Sequence, residues 1–210
     1  EKAEEEFTAA FQLDPTVAEY IYNLGCVNFD RGNFSRASDF FLQATQLDNT
    51  KAEYFANMGR ALIFDDNAPF AIEAFKKAIE LDDKNPYYYY CLGISYFQDG
   101  QFDEVIMAFK TAVLLNPDDP SYRYNLGTAY MKTGAVPEAI ESLRKAVELA
   151  PMKAEYHHNL GIVLYAVNNF KEAIKELETA IRLDPGLEGC KKALEEIKAE
   201  WEDESRGQQN

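Results

Sequence analysis

Apolar residues recur along the chain with the spacing of amphipathic helices, and the same set of positions returns every 34 residues. Five glycines, each preceded by Leu or Met, are spaced 34 residues apart: Gly25, Gly59, Gly93, Gly127 and Gly161. When this glycine is numbered position 8 of a repeat, position 24 is always Phe or Leu, position 27 is always Ala, and position 20 is Ala in every repeat but one, where it is Val105. Five copies without an insertion or deletion predict a protein built from tandem repeats.

Each repeat is predicted to contain two helices. Position 15 holds a residue that tolerates the left-handed conformation and so ends the first helix: Gly32, Asp66, Gly100, Gly134 and Asn168. Apolar residues then recur on one face of a second helix. Small residues at positions 8, 20 and 27 let the two backbones approach closely, while positions 7 and 24 fill the space around them. No alternating strand pattern occurs, so the chain is predicted to be all-α.

One helical pair cannot bury its apolar face alone, and neighbouring repeats are therefore expected to stack into a solenoid. The complete repeats are predicted at residues 18–51, 52–85, 86–119, 120–153 and 154–187. Residues 1–17 match the second helix of a preceding repeat that lacks its first helix. Residues 188–204 predict an amphipathic capping helix, and residues 205–210 predict a disordered tail.

The 34-residue period, with Leu-Gly at positions 7 and 8, Ala at 20 and 27, Phe at 24 and Pro at 32, resembles the tetratricopeptide repeat. The sequence departs from that family at position 4, which is never tryptophan: Ile21, Phe55, Tyr89, Arg123 and His157. Arg123 and His157 are expected to carry their polar ends outward. The resemblance implies a right-handed α-solenoid whose first helices line a concave groove, where such proteins usually hold a peptide.

The first helices are expected to present a binding surface. At about 100° per residue, positions 2, 5, 6, 9, 12 and 13 lie away from the packing sector. Apart from position 6, these positions are dominated by aromatic and aliphatic residues, which is typical of a binding site rather than a solvated face. The second helices carry mixed charges, such as Glu138 and Lys145, and are expected to be merely solvated. The predicted groove contacts other than asparagines are Tyr22, Phe29, Arg60, Phe64, Tyr87, Tyr90, Ile94, Phe97, Tyr124, Thr128, Lys132, His158, Ile162 and Tyr165.

Position 6 forms a column of asparagines that Cys91 interrupts: Asn23, Asn57, Asn125 and Asn159. An amide both donates and accepts hydrogen bonds, so such a column can pair with the backbone of an extended peptide of any sequence. Asparagine is also common at this position in the family at large. Contact with a ligand and a general family feature therefore remain alternatives at this point.

Four consecutive tyrosines stand at positions 2 to 5 of the middle repeat. Tyr88 belongs to a column present in every repeat and is expected at the edge of the packing sector. Tyr89 is expected to be buried at position 4. Tyr87 and Tyr90 are expected to face the groove, which predicts an aromatic floor in the middle repeat.

The charge balance narrows the range of partners. The chain has 21 basic and 36 acidic residues, a net charge of −15. Binding to nucleic acid or to an anionic membrane rewards basic surfaces, so neither is expected. No stretch approaches the roughly 18–20 unbroken apolar residues of a membrane span. Three widely spaced cysteines favour free thiols in a reducing compartment, and a cytoplasmic location is predicted.

The chain offers little catalytic chemistry, and neither a cofactor nor a metal ion is expected. His157 and His158 are adjacent, and neighbouring residues on a helix diverge too far to chelate one metal ion readily. The cysteines lack metal-site spacing, and the glycines serve packing or helix ends rather than a phosphate loop. The chaperone-type dicarboxylate clamp of the family is also excluded, because its lysines are absent at positions 2 and 5.

The sequence therefore predicts a non-catalytic scaffold that binds a peptide or an amphipathic helix of another protein, with basic residues flanking the bound segment. Two alternatives stay open. In the first, the chain is the targeting arm of a larger enzyme, a hypothesis suggested by the start of the sequence within a repeat. In the second, the chain is a self-assembling module whose N-terminal half-repeat docks a second copy through Phe7, Phe11 and Leu13.

Overall fold

The computed structural model describes the backbone of residues 2–207 and the side chains of residues 6–9 and 11–203. Within that range the chain is helical and contains no strand, which confirms the all-α prediction. The helices are α1 (Lys2–Leu13), α2 (Ala18–Asp30), α3 (Phe34–Leu47), α4 (Ala52–Phe64), α5 (Ala68–Leu81), α6 (Pro86–Gln98), α7 (Phe102–Leu115), α8 (Pro120–Thr133), α9 (Val136–Leu149), α10 (Ala154–Tyr165), α11 (Phe170–Leu183) and α12 (Cys190–Gly207).

The helices form two compact units, Glu1–Leu115 and Asn116–Asn210. In the first unit, α2 packs on α3, α4 on α5 and α6 on α7, and α1 packs against α2. In the second unit, α8 packs on α9, α10 on α11, and α12 covers α11. Each hairpin is one repeat, and its first helix is the shorter or equal partner.

A left-handed residue ends the first helix of every hairpin, as the sequence predicts. The backbone angle φ is +76° or +77° at Gly32, Gly100 and Gly134, and it is +55° at Asp66 and +58° at Asn168. At Gly134 the backbone N–H bonds back to the last turn of α8, which satisfies carbonyl groups left free by the end of the helix. The turn between the two helices is therefore built the same way five times.

The two helices of each hairpin meet at the position-8 glycine. A Cβ atom on Gly25 would lie 2.6 Å from the Phe41 ring, and one on Gly127 would lie 2.7 Å from Cγ of Leu143. The position-24 side chain occupies this space in every repeat and is almost completely buried: Phe41, Phe75, Phe109, Leu143 and Leu177. The alanines at position 27 have no exposed surface. The predicted close approach of the backbones is thus confirmed.

The C-terminal helix α12 covers the last repeat. Its Cys190 and Ile197 are buried in a cluster with Phe170 and Leu177. The helix runs to Gly207, so residues 205–207 are helical rather than part of the disordered tail predicted at 205–210. The rest of that tail, residues 208–210, lies outside the described residues.

Two position-specific expectations of packing are wrong. Tyr89 is half-exposed, whereas Tyr88 beside it is buried, so the packing sector is centred closer to position 3 than the sequence indicated. His157 does not carry its polar end outward. Its side chain is buried, with Nδ1 2.6 Å from a carboxylate oxygen of Glu176 and Nε2 3.0 Å from the carbonyl oxygen of Pro151. The buried imidazole is accommodated because both of its nitrogens have partners.

Asn28 occupies the core at position 11, with 1% of its surface exposed. Its Nδ2 donates to the carbonyl oxygen of Leu24, but its buried Oδ1 has no hydrogen-bond partner within the described residues. Position 11 is leucine in two other repeats, at Leu62 and Leu164. We predict that Asn28→Leu raises the free energy of unfolding by about 1 kcal/mol, since it removes an unsatisfied polar group of similar size. Urea unfolding followed by circular dichroism measures the change.

The reciprocal substitution is the matched control. Leu62→Asn places an amide at the same repeat position of α4 and is expected to lower the unfolding free energy by about 2 kcal/mol. If Asn28→Leu lowers the unfolding free energy as much as Leu62→Asn does, Asn28 is better accommodated in the core than its hydrogen bonds indicate.

Candidate functional site

The first-helix face of the unit Glu1–Leu115 is organised around Tyr22. Its ring stacks on the ring of Tyr54, with 4.6 Å between the centroids. Its hydroxyl donates to a carboxylate oxygen of Glu53 at 2.6 Å and accepts from Nδ2 of Asn57 at 2.9 Å. Tyr22 is on α2, and its three partners are on α4. The residue therefore fastens one repeat to the next.

Asn57 continues this network toward the end of α4. Its Nδ2 also donates to the backbone oxygen of Glu53 at 3.1 Å, so both amide hydrogens are used. Its Oδ1 accepts from Nη1 of Arg60 at 2.9 Å. The Arg60 guanidinium in turn lies over the ring of Phe29, with Cζ 4.7 Å from the centroid. Four of the predicted contact residues are thus joined in one intramolecular network.

Three phenylalanine rings form an aromatic cluster at the end of this network. Phe29 meets Phe34 and Phe64 edge to face, at 5.3 and 5.6 Å between centroids, and Phe34 stacks on Phe64 at 4.9 Å. Phe64 is 61% exposed. Because the partially exposed rings already pack on each other, an incoming apolar side chain would meet a preformed surface.

Phe34, at position 17 and at the start of a second helix, is not among the contacts predicted from the first-helix pattern. Positions 12 and 17 are both aromatic in three repeats, and their rings meet in each: Phe29–Phe34, Phe97–Phe102 and Tyr165–Phe170. In the other two repeats both positions are non-aromatic. Positions 12 and 17 thus change together from aromatic to non-aromatic, and this sequence pattern could have predicted the contact between their side chains.

In α6, Tyr87 and Tyr90 lie on the first-helix face, with 6.3 Å between their ring centroids. Tyr87 is exposed, whereas Tyr90 is half-buried and lies 5.8 Å from the ring of Phe109. Ile94 is half-buried and Phe97 is exposed on the same helix. Desolvation of its hydroxyl raises the pKa of Tyr87 to about 12, although the side chain as a whole is 39% exposed, and burial raises the pKa of the Cys91 thiol to about 11. Both groups are therefore protonated at neutral pH.

The unit Asn116–Asn210 repeats the tyrosine–asparagine contact. Tyr124 stacks on Tyr156 at 4.5 Å between centroids, and its hydroxyl accepts from Nδ2 of Asn159 at 2.9 Å. The same amide lies 3.4 Å from the hydroxyl of Thr128. Asn125 donates to the backbone oxygen of Ser121 at 2.8 Å. The same link between neighbouring repeats thus occurs in both units, and we call it the Tyr–Asn clip: Tyr22 with Tyr54 and Asn57, and Tyr124 with Tyr156 and Asn159.

The remaining predicted residues of this unit are more dispersed. His158 is half-buried, and burial lowers its pKa below the ordinary value. Ile162 and Tyr165 pack against the cluster under α12, and the Tyr165 hydroxyl donates to the carboxylate of Glu200. Lys132 is exposed near the end of α8. This face is therefore more polar and less aromatic than the face of the unit Glu1–Leu115.

The asparagine column has a structural use in both units. The amide hydrogens of Asn57 and Asn159 point to acceptors within the protein, which favours the general structural alternative for these two residues. Contact with a ligand backbone would have to use their carbonyl oxygens or displace the clip. Asn23 is half-buried on α2.

The chain contains no metal centre among its described residues, since no group of three or more His, Cys, Asp or Glu side chains converges there. Within the same range, no helix has both the length and the apolar content required to cross a membrane.

Comparison with known proteins identifies the repeat. Residues 70–100, 93–134 and 127–168 match the sequence profile of the TPR repeat, and residues 18–51 and 154–187 match profiles of the tetratricopeptide repeat. The chain belongs to the tetratricopeptide-repeat family. No curated protein sequence matches it significantly.

Several solved structures share the fold. YrrB, described as a TPR protein with an unusual peptide-binding site, is 24% identical, with a TM-score of 0.77 over 90% of this chain and 98% of YrrB. MamA from Desulfovibrio magneticus RS-1 is 23% identical, with a TM-score of 0.76 over 82% of this chain and 97% of its own. A chain of the APC/C hetero-tetramer Cut9–Hcn1 is 20% identical, with a TM-score of 0.72 over 93% of this chain and 39% of that one. The family supports a role as a protein–protein interaction scaffold, and its fold is typically a non-catalytic module.

The Tyr–Asn clip yields a stability prediction. Tyr22→Phe keeps the stacked ring but removes the hydroxyl that bonds to Glu53 and Asn57, so we expect the unfolding free energy to fall by about 1–2 kcal/mol. The loss should not add to that of Asn57→Ala, because both substitutions break the same bond. Chemical unfolding of the two single variants and the double variant measures the coupling. Tyr165→Phe, whose hydroxyl is bonded at an exposed site, is the control and should leave the midpoint nearly unchanged.

The cysteines yield a reactivity prediction. Cys91 and Cys190 are buried, Cys26 is half-buried, and burial raises the pKa of all three thiols. We expect a thiol reagent at pH 8 to modify Cys26 first and slowly, and the other two only when the protein unfolds, because the thiolate is the reactive form. Mass spectrometry of peptides after timed labelling identifies the modified site. Labelling of Cys91 as fast as that of Cys26 would contradict the assigned burial.

Proposed function

We propose that this protein is a scaffold that holds a peptide or an amphipathic helix of a partner protein on its first-helix face. The observation that carries the proposal is the row of partly exposed aromatic rings in the unit Glu1–Leu115. Phe64 is 61% exposed, and Tyr87 and Phe97 are also exposed. An apolar surface that remains in contact with water is typical of an interaction site.

The proposed contacts differ in kind. Phe29, Phe64, Tyr87, Tyr90, Ile94 and Phe97 supply apolar surface for side chains of the ligand. Rings held by their neighbours lose little conformational entropy when a ligand binds, which favours affinity. Tyr22 and Asn57 act indirectly, since their clip holds α2 and α4 in register beneath the surface.

The ligand is proposed to carry basic residues beside its apolar ones. The net charge of −15 attracts a cationic segment and speeds its encounter with the protein. On the first-helix face, Glu19 and Asp30 of α2 are exposed carboxylates. The guanidinium of Arg60 is already engaged by Asn57 and Phe29, so it offers less to an acidic ligand than its charge alone indicates.

A separate set of polar contacts is proposed on the first helices of the unit Asn116–Asn210. Tyr124, Asn125, Thr128, Lys132, His158, Asn159, Ile162 and Tyr165 lie on its first helices. The carbonyl oxygen of Asn159 is proposed to accept a hydrogen bond from a peptide backbone, since the amide hydrogens of this residue are directed at Tyr124 and Thr128. The likeness to YrrB, which has a peptide-binding site, is in keeping with this proposal.

The test is a selection of binders from a displayed library of random peptides. Selected peptides should combine large apolar residues with Lys or Arg. The Phe64→Ser, Phe97→Ser double variant should weaken their binding about tenfold or more by fluorescence anisotropy, as expected when aromatic anchors are lost. Both side chains are exposed, so the variant should remain folded.

Leu114→Ser is the matched control, because Leu114 is exposed on the second helix α7 rather than on a first helix. It should leave binding unchanged. Selected peptides that bind the double variant as tightly as the unsubstituted protein would place the interaction elsewhere.

A further inference from the structure

The second-helix side of the unit Glu1–Leu115 carries an apolar pocket of about 420 Å³. It lies between α3 and α5, and side chains of α4 form its floor: Phe55, Met58 and Leu62. Leu42 of α3 and Phe70 of α5 form its walls, and they are 46% and 65% exposed. The second helices of this unit therefore carry apolar side chains in addition to the mixed charges expected of a solvated face.

The corresponding place in the unit Asn116–Asn210, between α9 and α11, is spanned by charged groups. Arg144 of α9 meets Glu172 of α11 through two contacts, at 2.5 and 2.8 Å between nitrogen and oxygen. Beneath them, His157 of α10 is paired with Glu176 of α11 at 2.6 Å. Two polar pairs thus fill the space that is open and apolar in the other unit.

The repeat numbering shows that the two places differ at matching positions. Position 25 is Leu42 or Arg144, and position 19 of the following repeat is Phe70 or Glu172. Position 4 is Phe55 or His157, and position 23 is Ala74 or Glu176. All four members of the polar pairs are replaced by apolar residues. The pocket therefore results from a coordinated change in side chains on the same backbone arrangement.

The rim of the pocket is acidic. Asp39 and Asp65 border it, and neither carboxylate has an ion-pair partner among the described residues. Glu73 also borders the pocket but is paired with Lys76 at 3.1 Å, and Lys77 is paired with Glu80 at 2.6 Å. The rim therefore leaves two carboxylates free to face a cation, and its lysine is already engaged.

We propose that this pocket is a second docking site, which binds a large apolar side chain of an amphipathic helix that carries Lys or Arg next to that side chain. The volume is within the range of about 300–1,000 Å³ that is typical of ligand pockets. Two neighbouring helices with an apolar floor between them form the kind of groove that accepts the apolar edge of a third helix. The unpaired carboxylates of Asp39 and Asp65 select basic flanks over acidic ones.

The site is independent of the first-helix face. Its residues belong to α3, α5, the outer side of α4 and the turn between α4 and α5, so one molecule can hold two partner segments at once. A smaller pocket of about 210 Å³ continues the same type of surface between α6 and α7 and is lined by Tyr89, Tyr96 and Met107. Tyr89, which the repeat pattern predicts to be buried, is half-exposed because it borders this opening.

The test uses a variant that copies the polar pair of the other unit. Leu42→Arg with Phe70→Glu should fold normally, because Arg144 and Glu172 hold the same positions, and it should close the pocket. Random displayed peptides are selected on the unsubstituted protein and depleted on this variant. The peptides that remain should pair a Leu, Phe or Trp with basic residues, and their affinity should fall about tenfold or more in the variant.

Methionine methyl NMR locates the bound peptide. The chain has four methionines, and of these Met58 alone lines the larger pocket. A pocket peptide should shift the Met58 resonance in the unsubstituted protein and in the Phe64→Ser, Phe97→Ser variant of the first-helix face. The Met152→Arg, Val167→Glu variant introduces the same charges at exposed positions of the other unit and should bind normally.

Several outcomes would overturn the proposal. These are a selection that yields no peptide dependent on Leu42 and Phe70, a set of acidic peptides, or peptides that leave Met58 unshifted. If the double variant does not fold, Phe70→Ser replaces it, since that side chain is largely exposed. Asp39→Asn with Asp65→Asn should weaken the binding of a basic peptide severalfold. Unchanged binding would refute the proposal that these carboxylates select basic residues. Failure here leaves the first-helix face untouched, because the two sites share no substituted residue.

Discussion

The contact between the position-8 glycine and the position-24 side chain is the constraint on which the rest of the molecule depends. In all five hairpins a Cβ atom on this glycine would lie within 2.8 Å of that side chain. The alanines at position 27 are completely buried in the same interface. Because the two backbones are held this close, the rotation of each helix is set, and with it the direction of every other side chain. Positions outside this contact are then free to vary between repeats.

That freedom is used differently on the two sides of the hairpins. On the first-helix side, the Tyr–Asn clip links neighbouring repeats, and it uses side chains that a ligand was expected to contact. The aromatic rings beside the clip pack on each other yet remain partly exposed. The rings contribute to packing whether or not a ligand is present.

On the second-helix side, the same four repeat positions hold an ion pair and a His–Glu hydrogen bond in one unit and apolar residues in the other. The Arg144–Glu172 pair is partly exposed and contributes modestly to stability, but it fills space and keeps the surface polar. Leu42 and Phe70 leave that space open at positions where water meets apolar carbon. An exposed apolar pocket has no advantage for the isolated hairpins, and a partner that covers it would explain its presence.

The amino-acid sequence by itself determined the repeat, its two helices, the turn at position 15 and the residues of the interface between the helices. These features are local or periodic, and each requires a particular residue type at a particular position. Asp66 adopts the left-handed conformation that ends a helix, and Gly25 leaves the space that the Phe41 ring occupies. The tertiary structure alone decided how polar groups on the faces are used. Whether Asn57 meets a ligand or Tyr22, and whether His157 points to water or to Glu176, depends on a partner that is many residues away in sequence. Helical periodicity specifies the direction of a side chain but not what lies opposite it. The exposure of Tyr89 and the apolar pocket between α3 and α5 could therefore be seen only in the tertiary structure.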